Sequence, residues 1–390
     1  MRRIYLDHQA TTPCDPAVLA AMLPMFAEEY GNPHSDEHAM GRAAHDAVEA
    51  ARAEVAALIG ADPREVVFTS GATEANNIAI KGAARHARAT GSTRLRIVTV
   101  ATEHKCVLES VRDTAQDGFE PLVLPVEADG RLDPERLRAA LQVPTLLVSI
   151  MAANNETGVL QDLPALAAVA HESGALVHSD LAQAAGKIPV DVAAWGLDLA
   201  SLSAHKLYGP KGVGALWVRR RPRVRVAPLF SGGGQERGLR SGTLPAPLVA
   251  GFGVACRLAR EGLDAEAARL LPLRTAMLDR LRAAIPGLGV NGSMRHRLAG
   301  NLHLTFPGVP AAALLAACPE LCLSTGSACT SADVTPSAVL VAMGLDADAA
   351  SRSLRVGLGR TTSAADVEDA SAALIAAHRR LAQATANAGA

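Results

Sequence analysis

The sequence predicts an α/β fold, with a large domain built on a mostly parallel seven-stranded sheet flanked by helices and a smaller α+β domain at the C-terminal end. Three observations predict it. Between residues 65 and 218, seven short apolar runs alternate with helix-period segments, the pattern of a parallel sheet covered on both faces. At 390 residues the chain exceeds what one core usually serves, so a second unit is expected. After Val218 the composition shifts, through a basic stretch at 219–225 and a glycine- and arginine-rich stretch at 231–243, into a shorter mixed pattern.

Taken in order, Tyr5 to Pro13 reads as a short segment ending in turn chemistry. Asp15-Pro16 then supplies an N-cap and a first-turn proline for a helix to about Tyr30. An alanine-rich helix from about Ser35 to Ile59 ends at Gly60, suited to a left-handed cap. The seven strands are expected at 65–69, 95–101, 119–126, 145–151, 176–180, 197–203 and 213–218, with helices at 73–88, 103–117, 133–141 and 162–173. A long helix over about 247–284 is expected to break or bend near Gly262 and Pro272. Strands near 301–306, 321–324 and 353–357 and a closing helix over about 364–382 make up the second domain, and 385–390 should fray. The expected division is 1–15 packing with the small domain, 16–250 large domain, 251–390 small domain.

The charge balance narrows the function. Lys plus Arg number 38 against 39 Asp plus Glu, so no global field draws the chain to nucleic acid or an anionic membrane. No apolar run reaches the roughly 18 residues that span a bilayer, and the N-terminus lacks a signal-peptide core. The six cysteines lack paired C-x-x-C spacing, so no metal site is expected and reduced thiols in a cytoplasmic protein are. Cys106, Cys318 and Cys322 read as core.

Chemistry concentrates just after strand candidates, where ligands bind in such sheets. In Ser201-Leu-Ser-Ala-His-Lys-Leu-Tyr-Gly-Pro-Lys-Gly212, Lys206 follows an apolar run and precedes a turn. An amine held partly out of water loses proton affinity and can hold an aldehyde cofactor as an imine; an ordinary exposed lysine is the alternative. Val66-Val-Phe-Thr-Ser-Gly-Ala-Thr-Glu74 is a strand, a small-residue turn and a helix start, where free amides and the Thr73 hydroxyl could take a phosphate or simply cap the helix. Asp180 ends another buried strand and needs a cationic partner or a turn to cap. His104 also follows a strand, placed to stack on a ring or to start a helix. Jointly these are the parts that pyridoxal 5'-phosphate requires: an amine for the imine, a dipole for the phosphate and a carboxylate for the ring nitrogen.

Those motifs, with Asn-Asn-Glu-Thr-Gly at 154–158, Gly-Gly-Gly-Gln-Glu-Arg-Gly-Leu-Arg-Ser-Gly-Thr at 232–243, Ser-Thr-Gly-Ser-Ala-Cys-Thr-Ser at 324–331 and Leu-Arg-Val-Gly-Leu-Gly-Arg at 354–360, resemble the cysteine desulfurases over nearly the whole chain. The likeness is to the nitrogen-fixation and iron-sulfur-cluster-assembly branch of these class-V aminotransferase-like enzymes, and it implies a fold-type I pyridoxal-phosphate enzyme. By that resemblance, Lys206 carries the cofactor, Asp180 pairs with its ring nitrogen, Gln183 contacts its ring hydroxyl, and His104 stacks over the ring and moves protons. Ala72, Thr73, Ser203 and His205 hold the phosphate, with Thr243 reaching across from the second subunit of a homodimer. Asn155 and Arg355 orient the substrate, L-cysteine, whose carboxylate suits a two-pronged guanidinium.

The resemblance also implies that Cys329 takes the substrate's sulfur as a persulfide and releases alanine. Gly326, Ser327 and Ala328 make its loop flexible enough to carry the sulfur to an acceptor such as an iron-sulfur scaffold, whose cluster Cys329 could contact. Ala182 stands where a hydroxyl commonly precedes the glutamine. An aminotransferase or selenocysteine lyase of the same fold would need Lys206 and Asp180 without Cys329 chemistry, and a non-catalytic scaffold would need none of them.

Overall fold

The computed structural model describes residues 2–326 and 336–388. The N-terminal part opens with β1 (Ile4–Tyr5) and the helices α1 (Pro16–Met22), α2 (Pro24–Ala27) and α3 (Ala39–Leu58). Asp15 caps α1 as expected, its side chain accepting from the Ala17 amide. The single helix expected to Tyr30 is two, because Pro24 has no N–H to continue α1 and instead takes the first position of α2. Helix α3 starts later than expected, at a cap made by the His38 side chain, and ends into Gly60 at φ 67°.

The central sheet holds seven strands, all seven in the expected places: β2 (Val66–Thr69), β3 (Arg96–Val100), β4 (Glu120–Leu124), β5 (Thr145–Ser149), β6 (Leu176–Asp180), β7 (Leu199–Ser203) and β8 (Gly214–Val218). Their order is β2-β8-β7-β6-β5-β3-β4. Only β8 runs against its neighbours β2 and β7; the contacts among β7, β6, β5, β3 and β4 are parallel. Because β8 opposes both neighbours, β2 points the same way as β7, and the carboxyl ends of β2, β3, β5, β6 and β7 share one edge. Helices α4 (Ala72–Ala89), α5 (Lys105–Asp113), α6 (Pro134–Ala140) and α7 (Leu163–Glu172) connect the strands. One apolar cluster joins α3 and α7 to one face, and another joins α4 to the other through Ile78, Ile80 and Ala83.

Helix α8 (Ala246–Ala284) runs 39 residues without a break, which corrects the break, one of the two outcomes expected near Gly262 and Pro272. Its first half buries Val249, Phe252 and Cys256 in the core of the large sheet. Its second half buries Leu270, Met277, Leu278 and Leu281 in a separate core. An interior proline costs a helix about 3 kcal/mol, and each buried large apolar side chain returns about 1.5–3 kcal/mol, so packing at both ends holds the helix continuous. The second core lies under β9 (Gly289–Val290), β10 (Asn301–Thr305) and β12 (Ser353–Gly357), an antiparallel sheet in the order β12-β10-β9. Around it are α9 (Ala311–Ala317), β11 (Leu321–Cys322), α10 (Ala338–Ala342), α11 (Ala347–Ser351) and α12 (Ala364–Ala388). The chain's first strand returns here: β1 pairs in parallel with β11, and Asp7 bridges to Gly357.

Candidate active site

A cavity of about 370 Å³ opens at the shared strand edge. Ten of the twelve residues singled out for chemistry line it: Ala72, Thr73, His104, Asn155, Asp180, Gln183, Ser203, His205, Lys206 and Arg355. The two strand ends nearest the phosphate motif close on a single residue, since Gly214 pairs with both Thr69 and Ser203. A Cβ there would sit 2.4 Å from the Leu202 carbonyl oxygen and 2.7 Å from the Gly71 Cα, so only glycine lets β8 pass this close to β7 and to the turn after β2.

Lys206 ends a single 3-10 turn directly after β7. Its Nζ donates to the carbonyl oxygens of Gln9 (2.8 Å) and Ala10 (2.7 Å), which places the amine against the N-terminal segment. His205 meets the Thr11 hydroxyl at 3.0 Å. Burial, then the charges of Lys206, Lys211 and Lys187, draw its pKa down to about 4, so the ring is neutral at ordinary pH.

Asp180 is 6% exposed and accepts from the Ala182 amide (2.8 Å) and from Asn76 Nδ2 (2.7 Å). The Asn76 amide nitrogen also reaches Cys106 Sγ at 3.2 Å, and that sulfur lies 3.0 Å from His104 Nδ1. His104 caps α5 by accepting from the Cys106 amide at 3.2 Å. Burial lowers the His104 pKa, with Asp180 opposing and Lys206 reinforcing; with Nδ1 the acceptor, the neutral ring carries its proton on Nε2. Burial, then Asp180, push the Cys106 thiol up to about 12, so it stays a thiol and not a nucleophile.

Arg355, 1% exposed, comes from β12. It donates to the Asn155 carbonyl oxygen (2.9 Å) and to Asp7 Oδ1 (2.8 Å). Its Nε and the Asn155 Oδ1 are buried without a hydrogen-bond partner among the described residues. Such atoms cost stability unless something satisfies them, and both residues line the cavity. The neighbouring Glu156, raised in pKa by burial, accepts from Ser337 at 2.5 Å, while Ser324 donates to Asp7 Oδ1 at 3.1 Å and bridges to Arg355.

Two expected residues stand apart. Thr243 is exposed and does not line this cavity. Cys329 lies outside the described residues. Sequence reasoning missed the Gln9 and Ala10 carbonyls, which any residue type could supply, and Asn76, which sits four residues after Ala72 on the same helix face and could have been found by that spacing.

The lining residues fit pyridoxal 5'-phosphate. Helix α4 begins at Gly71 without a side-chain cap, leaving amides and a dipole for a phosphate beside Thr73 and Ser203. Asp180, at the end of β6, and Lys206, just after the neighbouring β7, line the same cavity.

The Aminotransferase class-V family model matches residues 4–369. A cysteine desulfurase IscS from Anaeromyxobacter sp. (strain Fw109-5) is 53% identical over 365 residues, covering 94% of this chain and 90% of that protein. A solved structure described as a NifS-like protein superposes with a TM-score of 0.88 at 34% identity, covering 97% of this chain and 99% of that one. Another, described as SspA in complex with cysteine, has a TM-score of 0.80 at 35% identity over 91% of this chain and 98% of its own.

Proposed function

The chain belongs to the class-V aminotransferase family as one of its cysteine desulfurases, and on that premise we propose how its own residues turn L-cysteine into L-alanine and pass the sulfur to Cys329. The observation that carries the reading is the convergence of Lys206, Asp180 and an uncapped helix start on the same cavity as a buried, incompletely partnered Arg355. Bound pyridoxal 5'-phosphate supplies an electron-accepting ring joined to an imine, which weakens bonds at the substrate Cα.

Lys206 holds the cofactor through its amine. Asp180, oriented by Asn76 and the Ala182 amide, keeps the ring nitrogen protonated, and Gln183 faces the ring hydroxyl. The α4 amides, with Ala72, Thr73, Ser203 and His205, take the phosphate. His205 serves as a neutral hydrogen-bonding group there, consistent with its lowered pKa. Arg355 binds the substrate carboxylate through its guanidinium, whose Nε has no partner among the described residues, and Asn155 orients the substrate beside it. His104 stacks over the ring, and Nε2 is the atom available to hold or move a proton.

Cys329 as thiolate forms an S–S bond to the substrate sulfur. The substrate C–S bond breaks, the carbon takes a proton to become the alanine methyl, and the enzyme is left with a persulfide. The cysteine sequence flanks support its position in this scheme, since Ser324 on one side is tied to Asp7 and Arg355, and Ser337 on the other to Glu156.

We place residues 16–250 in a cofactor-binding domain and 251–390, joined by 1–15, in a domain carrying Cys329, with the first half of α8 packing back on the large sheet; the β1–β11 pairing supports the joining of 1–15. Thr243 reaches the cavity of a second copy in a homodimer, which fits its exposure and its absence from its own chain's cavity. The acceptor is an iron-sulfur scaffold or another thiol-bearing protein, and the compartment is the cytoplasm, where thiols stay reduced. No helix among the described residues is long and apolar enough to cross a membrane.

The test is turnover of L-cysteine by the purified holoenzyme, with alanine and enzyme-bound sulfur counted. Cys329→Ala should abolish persulfide formation and sulfur transfer while leaving the visible band of the bound cofactor unchanged. Undiminished turnover of L-cysteine by that variant would overturn the reading, in favour of a lyase if alanine still forms and of an aminotransferase if it does not.

A further inference from the structure

Behind the wall of the main cavity lies a smaller one of about 30 Å³, lined by His8, Gln9, Lys187, Tyr208 and Glu266 among others; Gln9 lines both. Lys187 follows β6 and is partly buried. Its Nζ donates to Gln183 Oε1 at 2.6 Å. The Gln183 Nε2 donates to the Gln9 carbonyl oxygen at 2.8 Å, the same oxygen that Lys206 Nζ meets at 2.8 Å. Chemistry fixes this order. An ammonium has only donors and must meet the amide oxygen, and a backbone carbonyl only accepts and must meet the amide NH2. Turning the amide over would set NH2 against the ammonium and oxygen against the carbonyl.

We propose that Lys187 is a positioning residue for the Lys206 site: it locks the Gln183 amide with its NH2 group toward the carbonyl shared with Lys206, and as a cation behind that wall it sets the pH at which the lysine-bound cofactor gains or loses its proton. The inference rests on Lys206 being the cofactor-bearing lysine. The charged groups that face Lys187 are Lys206, Arg355 of β12 and Glu266 of α8, and across the small cavity His8, itself influenced by Arg269. Burial first, then Lys206, draws Lys187 down to about 7, with Glu266 opposing. Burial, then Lys187 and Arg269, hold His8 at about 4, so it contributes no charge near neutrality. A cation disfavours a second cation nearby, so the protonated imine is harder to form while Lys187 is charged.

The experiment is a titration of the visible absorption of the holoenzyme, from about pH 6 to pH 10, in the native protein, Lys187→Met and Lys187→Arg. Methionine removes the cation, and arginine stays charged throughout. The expected midpoints fall in the order Arg, native, Met from low to high, spread over about half a unit to one unit. Cofactor release should be about tenfold faster in Lys187→Met, because Gln183 loses the partner that orients it. Coincident midpoints, or the reverse order, would overturn the proposal. If Lys187→Met does not fold, arginine against native decides alone, a lower midpoint supporting the proposal and an unchanged one overturning it. A native protein with no visible band, or a Lys206→Ala variant that keeps the native band, would instead refute the Lys206 reading and take this inference with it.

Discussion

The two ends of the cavity are built differently. The cofactor end is assembled from the carboxyl ends of β2, β3, β6 and β7, strands of one sheet at or just after whose ends stand Thr73, His104, Asp180 and Lys206. The substrate end joins Asp7, Asn155, Ser324 and Arg355, residues separated by up to 348 positions and drawn from both cores. The first can form once a single sheet folds; the second exists only when β1 has paired with β11 and Asp7 has reached β12. Substitutions at the first end should therefore cost the cofactor itself, and those at the second should cost substrate while the cofactor stays bound.

The largest expected effect is at Lys206. Lys206→Ala should lose the visible band of the lysine-bound cofactor and lower turnover of L-cysteine by about 10⁴-fold or more; a retained band would break the comparison at once. Next is Arg355→Lys, which keeps the charge but not the fork. The expected loss in kcat/KM is about 100-fold, with an unchanged band. Asp7→Asn is milder, since Arg355 loses its charged partner at 2.8 Å but keeps the Asn155 carbonyl. Its KM for L-cysteine should rise about tenfold with kcat nearly unchanged, and a fall in kcat alone would place Asp7 in the chemical step instead.

The smallest effect separates the two regions by stability. His178 lies under the cofactor edge, hydrogen-bonded to Ser149 and Ser201, and His303 lies in the small sheet beside Asn291, its Nε2 without a partner among the described residues. Burial lowers both, to about 4 and about 3, with nearby arginines adding to the effect at His303. An unfolded histidine titrates near 6.5, so the unfolded chain binds more protons below that pH. The stability each neutral ring contributes is present above about 6.5 and is lost as pH falls toward about 4 for His178 and about 3 for His303. At pH 5.5 the loss is about 1 kcal/mol for each. Melting curves of His178→Asn and His303→Asn should each show a shallower decline between about pH 6.5 and pH 5 than the native protein; slopes unchanged in both would show that neither ring is held neutral.

The same contrast explains what was legible beforehand. Short apolar runs alternating with helix-period segments reported all seven strands of the large sheet, and the motifs after them reported the cofactor end, because strand, turn and functional residue are contiguous there. The substrate end was legible only through family resemblance, since nothing local in Leu354-Arg-Val356 announces that Arg355 meets Asp7 and Asn155. Pro24 and Pro272 show how context decides a proline: at the surface it divided α1 from α2, and between two cores it was absorbed within α8. The carbonyls of Gln9 and Ala10 carry no side-chain signature, and Lys187 reads as any lysine until its contact with Gln183 is seen.

The central claim is that the cavity delivers the sulfur of L-cysteine to one particular thiol. The most direct measurement is a peptide map of the holoenzyme after a single turnover with isotopically labelled L-cysteine and alkylation under non-reducing conditions. One labelled sulfur on the peptide containing Cys329, matched by one alanine released, is the predicted result. Alanine formed with the label on Cys106 or Cys322, or on no enzyme thiol, would contradict it.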